Sequence, residues 1–543
     1  MLSRPTFTNT IGQWSVGQRT VALFLGTVYF IPLIGNAIFH EQIESIYQIY
    51  TPSVLTCLVL GLTCVGFALL SGRSWGMQGF WRSAAVQRLQ DLMQRLGAFY
   101  VRRRTAFALV ALASGLFFLW RGLSAYRYSS VGISDQGSLF LIVGVLIQTG
   151  VSLDQFYQIF VRRWAEPLTR TVRFQNVLFA LSLVFLVNGT ASMFLALFAL
   201  GFSLFPQTYR RLLFEKPSET LFAKARREAL CLGLCVGLFG LAWPCGEMIK
   251  IASSRGPAPS VTAPPPVPET EEESSKTLWG LLKRDPERAM ANRERIVRKL
   301  ESLLSFNWLR RRPTVAQAPP PPPAARGPGR SVFSLWRAFQ RSTDELNPMR
   351  YGLYVLQSVS VHYYSLTFAT NVPRETLTGG YWPPVFPIST MLFRGDFLTG
   401  GLWGVNRPDI SSVALWNYRR LAKKATNPRE GSSPGLIAGF EYSAPFPWSV
   451  LLCVLYLCLF SKILDQILVP AAGVKLGWVA MLLGLKYIEA PLSSPPDMLL
   501  LFDNGAFAAV LLAAMYLALR AREPVPAEEQ RSLRQRWSEN AFT

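Results

Sequence analysis

Apolar residues in this chain gather into blocks of about 17 to 25, the length a helix needs to cross a lipid bilayer, and no other feature limits its folding options as much. Ten such blocks stand out, at roughly 20–40, 52–71, 105–122, 137–153, 174–188, 190–206, 228–246, 448–469, 473–490 and 503–521. The expected fold class is therefore all-α, a polytopic membrane helix bundle of about ten transmembrane helices with one large external loop region. No small-residue cleavage site follows the first block, which reads as a retained span rather than a signal peptide.

The charges follow the ends of the blocks. Residues 72–104 hold Arg73, Arg82, Arg88, Arg95, Arg102, Arg103 and Arg104 against one acid, Asp91, and 207–227 is also rich in basic residues. Both read as cytoplasmic, because positive charge stays on that side. The connections at 41–51, with Glu41 and Glu44, and at 491–502, with Asp497, carry no basic residue and read as external. Counting spans from a cytoplasmic N-terminus leaves 247–447 outside and returns the C-terminus to the cytoplasm.

A formal charge of +22 raises the question of nucleic acid. No zinc-ligand spacing, helix-turn-helix pattern or other recognition module accompanies it, and no nucleic-acid partner is expected. The seven cysteines all lie in or beside apolar blocks, where a thiol behaves as a small hydrophobe. Neither a metal site nor a cofactor site is expected. Asp154, Lys462, Asp465, Lys486 and Glu489 fall near block ends and read as snorkelling or interfacial groups.

Five regions follow: an N-terminal membrane bundle of about seven spans at 1–247, a Pro-rich low-complexity linker at 248–330, a folded external loop at 331–447, C-terminal spans at 448–522 and a cytoplasmic tail at 523–543. Within the linker, Ile296, Val297, Leu300, Leu303, Leu304 and Trp308 recur at helical spacing among arginines. That pattern fits a basic amphipathic helix on anionic lipid or a partner-docking helix. Residues 351–370, "YGLYVLQSVSVHYYSLTFAT", are apolar but carry Gln357 and His362. They read as a helix lying against the membrane or the bundle rather than as a span.

The 331–447 region interleaves arginines and carboxylates with aromatic residues. The guanidinium fork matches phosphate oxygens bidentately and keeps its charge at any working pH. Arg374, Arg394, Arg407, Arg419, Arg420 and Arg429 are thus candidates for holding a lipid-linked pyrophosphate, with aromatic rings stacking sugars.

The order of features resembles a family. A tight hairpin of spans, "FLVNGTASMFLALFALGFSLFPQTYRR", precedes one more span and a long external loop that closes with "GSSPGLIAGFEYSAPFPWSVLLCVLYLCLF". This is similar to the bacterial Wzy-type oligosaccharide repeat-unit polymerases of O-antigen and exopolysaccharide biosynthesis. In them a Gly- and Ser-bearing segment ahead of a Tyr or Phe, here Tyr442, leads into a late span. The resemblance implies a glycosyltransferase at the outer face of a bacterial inner membrane. It would move a growing glycan from polyprenyl pyrophosphate to a sugar hydroxyl on a second lipid-linked repeat unit.

Preorganised arginines would stabilise the charge growing on the leaving pyrophosphate, and Glu441 or His362 would take or orient the acceptor proton. Polyprenyl-pyrophosphate-linked oligosaccharides, membrane lipids and other polysaccharide-assembly proteins are the implied partners. A non-enzymatic membrane scaffold, docking partners through the Pro-rich and basic loop, is the alternative. A transporter fits less well, since few ionisable residues lie deep in the blocks.

Overall fold

A computed structural model describes residues 14–39, 47–72, 83–120, 135–162, 168–185, 190–215, 219–254, 353, 356, 359–372, 417, 418, 420–422, 432–468, 475–493 and 504–520. The Ser15 hydroxyl accepts from the Gln18 amide while the Gln18 side chain accepts from the Ser15 N–H. This reciprocal cap satisfies two first-turn donors that would otherwise lack partners and opens α1, Val16–Leu25. A π-helical turn, Gly26–Phe30, carries it into α2, Ile31–Phe39. Ser53 and Thr56 repeat the reciprocal cap at the start of α3, Val54–Leu70.

Four long helices follow: α4, Ala84–Trp120; α5, Asp135–Phe156, which ends in a π-helical turn; α6, Arg170–Phe185; and α7, Thr190–Leu204. Pro206 needs no amide partner at a helix start and opens α8, Pro206–Leu213, across a bend of 114° from α7. The two-residue strand β1, Phe214–Glu215, precedes α9, Leu221–Ser254. Then come α10, Val361–Asn371; α11, Leu436–Ser443; and α12, Trp448–Leu468. The chain closes with β2, Lys475–Leu476; α13, Trp478–Tyr487; the single turn α14, Ala490–Ser493; and α15, Asn504–Arg520.

The core centres on α12, where Cys453, Leu457, Cys458 and Leu464 are fully enclosed. Along one side runs α1, close enough that a Cβ at Gly17 would sit 2.0 Å from the Ser461 carbonyl oxygen. Only glycine allows that approach. The Gly17 amide then donates to Asp465 Oδ1 at 2.7 Å, so a carboxylate on one helix terminates the other, where its charge also suits the helix dipole.

A second tie joins α9 to α13. Residues Phe214 and Glu215 pair antiparallel with Leu476 and Lys475. Glu228 accepts from the Trp478 and Val479 amides of the first turn of α13, while Arg227 reaches Glu215, Glu219 and Glu228 within 3.5 Å. Chain segments more than two hundred residues apart are thereby clamped at one spot.

This architecture corrects the expected ten-span bundle. Among the described residues three helices are long and apolar enough to cross a membrane, Val16–Phe39, Leu221–Gly246 and Trp448–Leu468, with a fourth if the bent pair Ser192–Leu204 and Pro206–Leu213 is one span. A bilayer core of about 30 Å needs about 20 helical residues. The 17 residues of α3 and the 10 of α13 fall short, and α6 has 16 with Arg170 and Arg173 inside. Much of the apolar sequence assigned to lipid instead builds a shared protein interior.

The ten-span inner-membrane localisation, with both termini placed in the cytoplasm by counting spans, and the ten-helix bundle description that went with it, fall with the span count. The segment at 351–370 also takes a different place. Every residue from Tyr363 to Thr370 in α10 is buried, so this helix is part of the interior.

Candidate functional site

Two polar clusters lie inside the helical body. The first joins α4, α5 and α6. Arg104 is 3 % exposed and Asp154 8 %, burial that a charge tolerates only when paired and hydrogen-bonded. Its guanidinium meets the Asp154 carboxylate side-on, Nη2 to Oδ2 at 2.6 Å and Nε to Oδ1 at 3.0 Å. The remaining donors go to Gln175 Oε1 at 3.0 Å and Asn176 Oδ1 at 2.6 Å. Tyr100 donates to Asp154 Oδ1 at 2.6 Å and Gln155 to Oδ2 at 3.2 Å, and the Phe179 ring lies 5.1 Å from the guanidinium carbon.

Burial works against the Arg104 charge, but the hydrogen-bonded Asp154 carboxylate more than offsets it and the guanidinium pKa is raised. Burial first, and Asp154 second, push the Tyr100 phenol up as well. Both groups keep their protons. Such a bidentate pair acts as a joint among three helices.

The second cluster is neutral. Asn417 donates from Nδ2 to Ser365 Oγ at 3.0 Å and to the Ser432 carbonyl at 2.9 Å, and its Oδ1 accepts from the Tyr442 hydroxyl at 2.7 Å. Elsewhere round α10, Tyr364 donates to Asn36 Oδ1 at 2.8 Å, and Thr370 and Thr56 hydroxyls lie 2.6 Å apart. Tyr29 completes the set by accepting from the Ile437 amide at 3.0 Å. Three of these groups, Tyr364, Ser365 and Thr370, sit on α10 and two, Ile437 and Tyr442, on α11, and their partners Asn36 and Thr56 lie on α2 and α3, so the bonds fix α10 and α11 against α2 and α3.

Gly435 explains the small residues that lead into α11. Its φ of 79° belongs to glycine, and a Cβ there would lie 2.6 Å from His362 Cβ and Cγ. His362 is half-buried at its surface yet tightly surrounded, and burial pushes its imidazole down to about 4, the Glu489 carboxylate opposing and the Lys486 ammonium reinforcing the shift. At neutral pH the ring is uncharged.

Four of the nine sequence candidates lie among the described residues. Glu441 is buried and accepts from Ser449 Oγ at 2.6 Å, joining α11 to the first turn of α12. Tyr442 belongs to the neutral cluster, His362 packs beneath Gly435, and Arg420 is exposed, next to the backbone bond from the Gln48 amide to the Leu421 carbonyl. His362 and Tyr442 lie between α10 and α11, the first against Gly435 and the second reaching Asn417, whereas Glu441 turns to Ser449 on α12. Arg374, Arg394, Arg407, Arg419 and Arg429 lie outside the described residues.

Sequence reasoning gave Arg104 to a cytoplasmic basic run and Asp154 to a block end, and passed over Gln175 and Asn176. The signal was present in "SLDQF" and "RFQNVLFAL", where amides and a carboxylate open or close an apolar block. Asp154 is not a snorkelling group, since its carboxylate points inward to Arg104. Asp465 likewise turns to the Gly17 amide.

Among the described residues no group of three or more His, Cys, Asp or Glu side chains is placed to hold a metal ion. Comparison with protein-family models, with curated proteins and with solved structures gives no match. The polymerase function required many spans presenting a large loop at the outer face of a bacterial inner membrane. With three helices, or four, long and apolar enough to span among the described residues, that reading is withdrawn along with its inner-membrane polysaccharide-synthesis setting.

Proposed function

We propose that this chain works within a lipid bilayer as a helical structural subunit, its lipid-facing helices holding an interior joined by polar contacts. The observation that carries the reading is α9. In its most apolar 18-residue window within Leu221–Gly246 only 17 % of the residues are buried within the protein, and Leu230, Leu232, Val236 and Leu241 are each more than half exposed. Moving one such side chain from water to an apolar medium contributes about 1.5–3 kcal/mol. Leu230 and Leu241 face one way and Leu232 and Val236 the other, so apolar surface is exposed round much of the helix and calls for an apolar surrounding; lipid matches its length as well as its chemistry.

The interior supports a structural rather than a catalytic role. Glu441 and His362 are the groups on which an enzymatic reading would rest. Glu441 is enclosed and bonded to Ser449, and His362 is packed against backbone.

The test is extraction of membranes from cells expressing the full chain. Alkaline carbonate should leave the protein in the membrane pellet and detergent should release it. Release by carbonate alone would sink the proposal, because peripheral proteins leave under that treatment and helices that cross the bilayer do not.

A further inference from the structure

We infer that the first half of α4, residues 84–103, is a docking surface for anionic lipid headgroups; this rests on the membrane-embedded reading above. Before Arg104 turns inward, only Val86 of this segment is buried among the described residues. The segment spans about 30 Å at 1.5 Å per residue, and its exposed side chains are not mixed at random.

Leu89, Leu92, Leu96 and Phe99 recur at i, i+3, i+7 and i+10, one apolar stripe, and each is about half exposed. Arg88, Arg95 and Arg102 recur every seven residues, a second stripe about 80° round the helix from the first. Glutamines 87, 90 and 94 occupy the far side together with the exposed Val101, and Asp91, the only acid, lies on the arginine stripe between Arg88 and Arg95.

Two adjoining stripes, one apolar and one cationic, fit a helix lying at a bilayer interface with its apolar side chains in the acyl boundary and its arginines level with the phosphates. A water-exposed helix gains nothing from four large apolar side chains on one line. A protein partner would also cover the apolar stripe, but the row of guanidinium groups beside it, three cations against the one carboxylate of Asp91, selects a surface dense in phosphate, which arginine binds through paired donors. Arg103 and Arg104 mark the boundary: the first is exposed, the second is taken by Asp154.

The test uses the full chain with a dansyl-bearing amino acid in place of Leu92, reconstituted at one copy per nanodisc. Discs of phosphatidylcholine are compared with discs containing about one-third phosphatidylglycerol. The expected result is blue-shifted emission, quenched by doxyl-labelled lipid, in the anionic discs and water-like emission in the neutral ones. The same probe in place of Gln94 should stay water-like in both. At about fivefold per arginine, R88Q/R95Q/R102Q should lower the preference for anionic discs roughly a hundredfold.

Protein that inserts into discs but shows water-like emission at position 92 in both compositions overturns this inference and leaves the membrane reading standing. Equal blue shifts in the two compositions overturn the anionic specificity, and a shift seen only in discs holding two copies assigns the surface to a second copy instead. Failure to insert into discs at all overturns both readings.

Discussion

The Arg104 cluster and the Asn417 cluster do similar work with different chemistry. The first places one cation and one anion among three helices, with every short contact aimed at the pair. The second uses hydroxyls, amides and backbone groups drawn from four helices and from the segments between them. Losing one member therefore means different things. A buried ion left alone must be desolvated without compensation, whereas a neutral group loses one bond among several.

The largest expected effect follows from that difference. Asp154→Ala should lower stability by about 3–5 kcal/mol, read as a shift in thermal unfolding in detergent, and Arg104→Met with Asp154→Leu should recover most of it. A single substitution costing under about 1 kcal/mol would erase the contrast between the clusters.

His362 sharpens the comparison from the neutral side. Its folded value of about 4 lies below the ordinary 6.5, so as pH falls the unfolded chain takes up the proton first. The contribution is whole above about pH 6.5 and drains away as pH falls towards 4, a loss of about 1–3 kcal/mol. Urea midpoints at pH 7 and pH 4.5 should differ more for the native chain than for His362→Gln. Identical differences would mean that His362 does not carry the pH dependence. The smallest effect belongs to Tyr442→Phe, which removes the bond to Asn417 and should cost about 1 kcal/mol in the same unfolding measurement.

The apolar blocks at 52–71, 448–469 and 503–521 marked where α3, α12 and α15 lie. They did not tell which helices cross a membrane, because hydropathy reports removal from water and is silent on whether lipid or protein replaces it. The block at 473–490 shows the failure: β2 and the short α13 occupy it, and α13 is largely buried. Arginine bias was read as one face of a membrane, yet Arg104 leaves that run and turns into the core. Its partner, fifty residues away in sequence, becomes visible only once three helices are assembled.

Glu441 was legible as an unusual carboxylate ahead of an apolar block, but its bond to Ser449 depends on the turn between α11 and α12. The reverse holds for Gly435. Its place in a run of small residues was plain, while the imidazole it lies against came from a helix some seventy residues earlier.

The contact between α1 and α12 has a consequence for synthesis. Gly17 donates to a carboxylate that lies 448 residues further along, so a ribosome finishes most of the polypeptide before the opening helix meets the neighbour that shields its groove and completes its cap. Through that interval the Gly17 amide lacks the Asp465 acceptor and the backbone surface beside it lacks the Ser461 neighbour, so the first helix made is among the last to gain its packing partner.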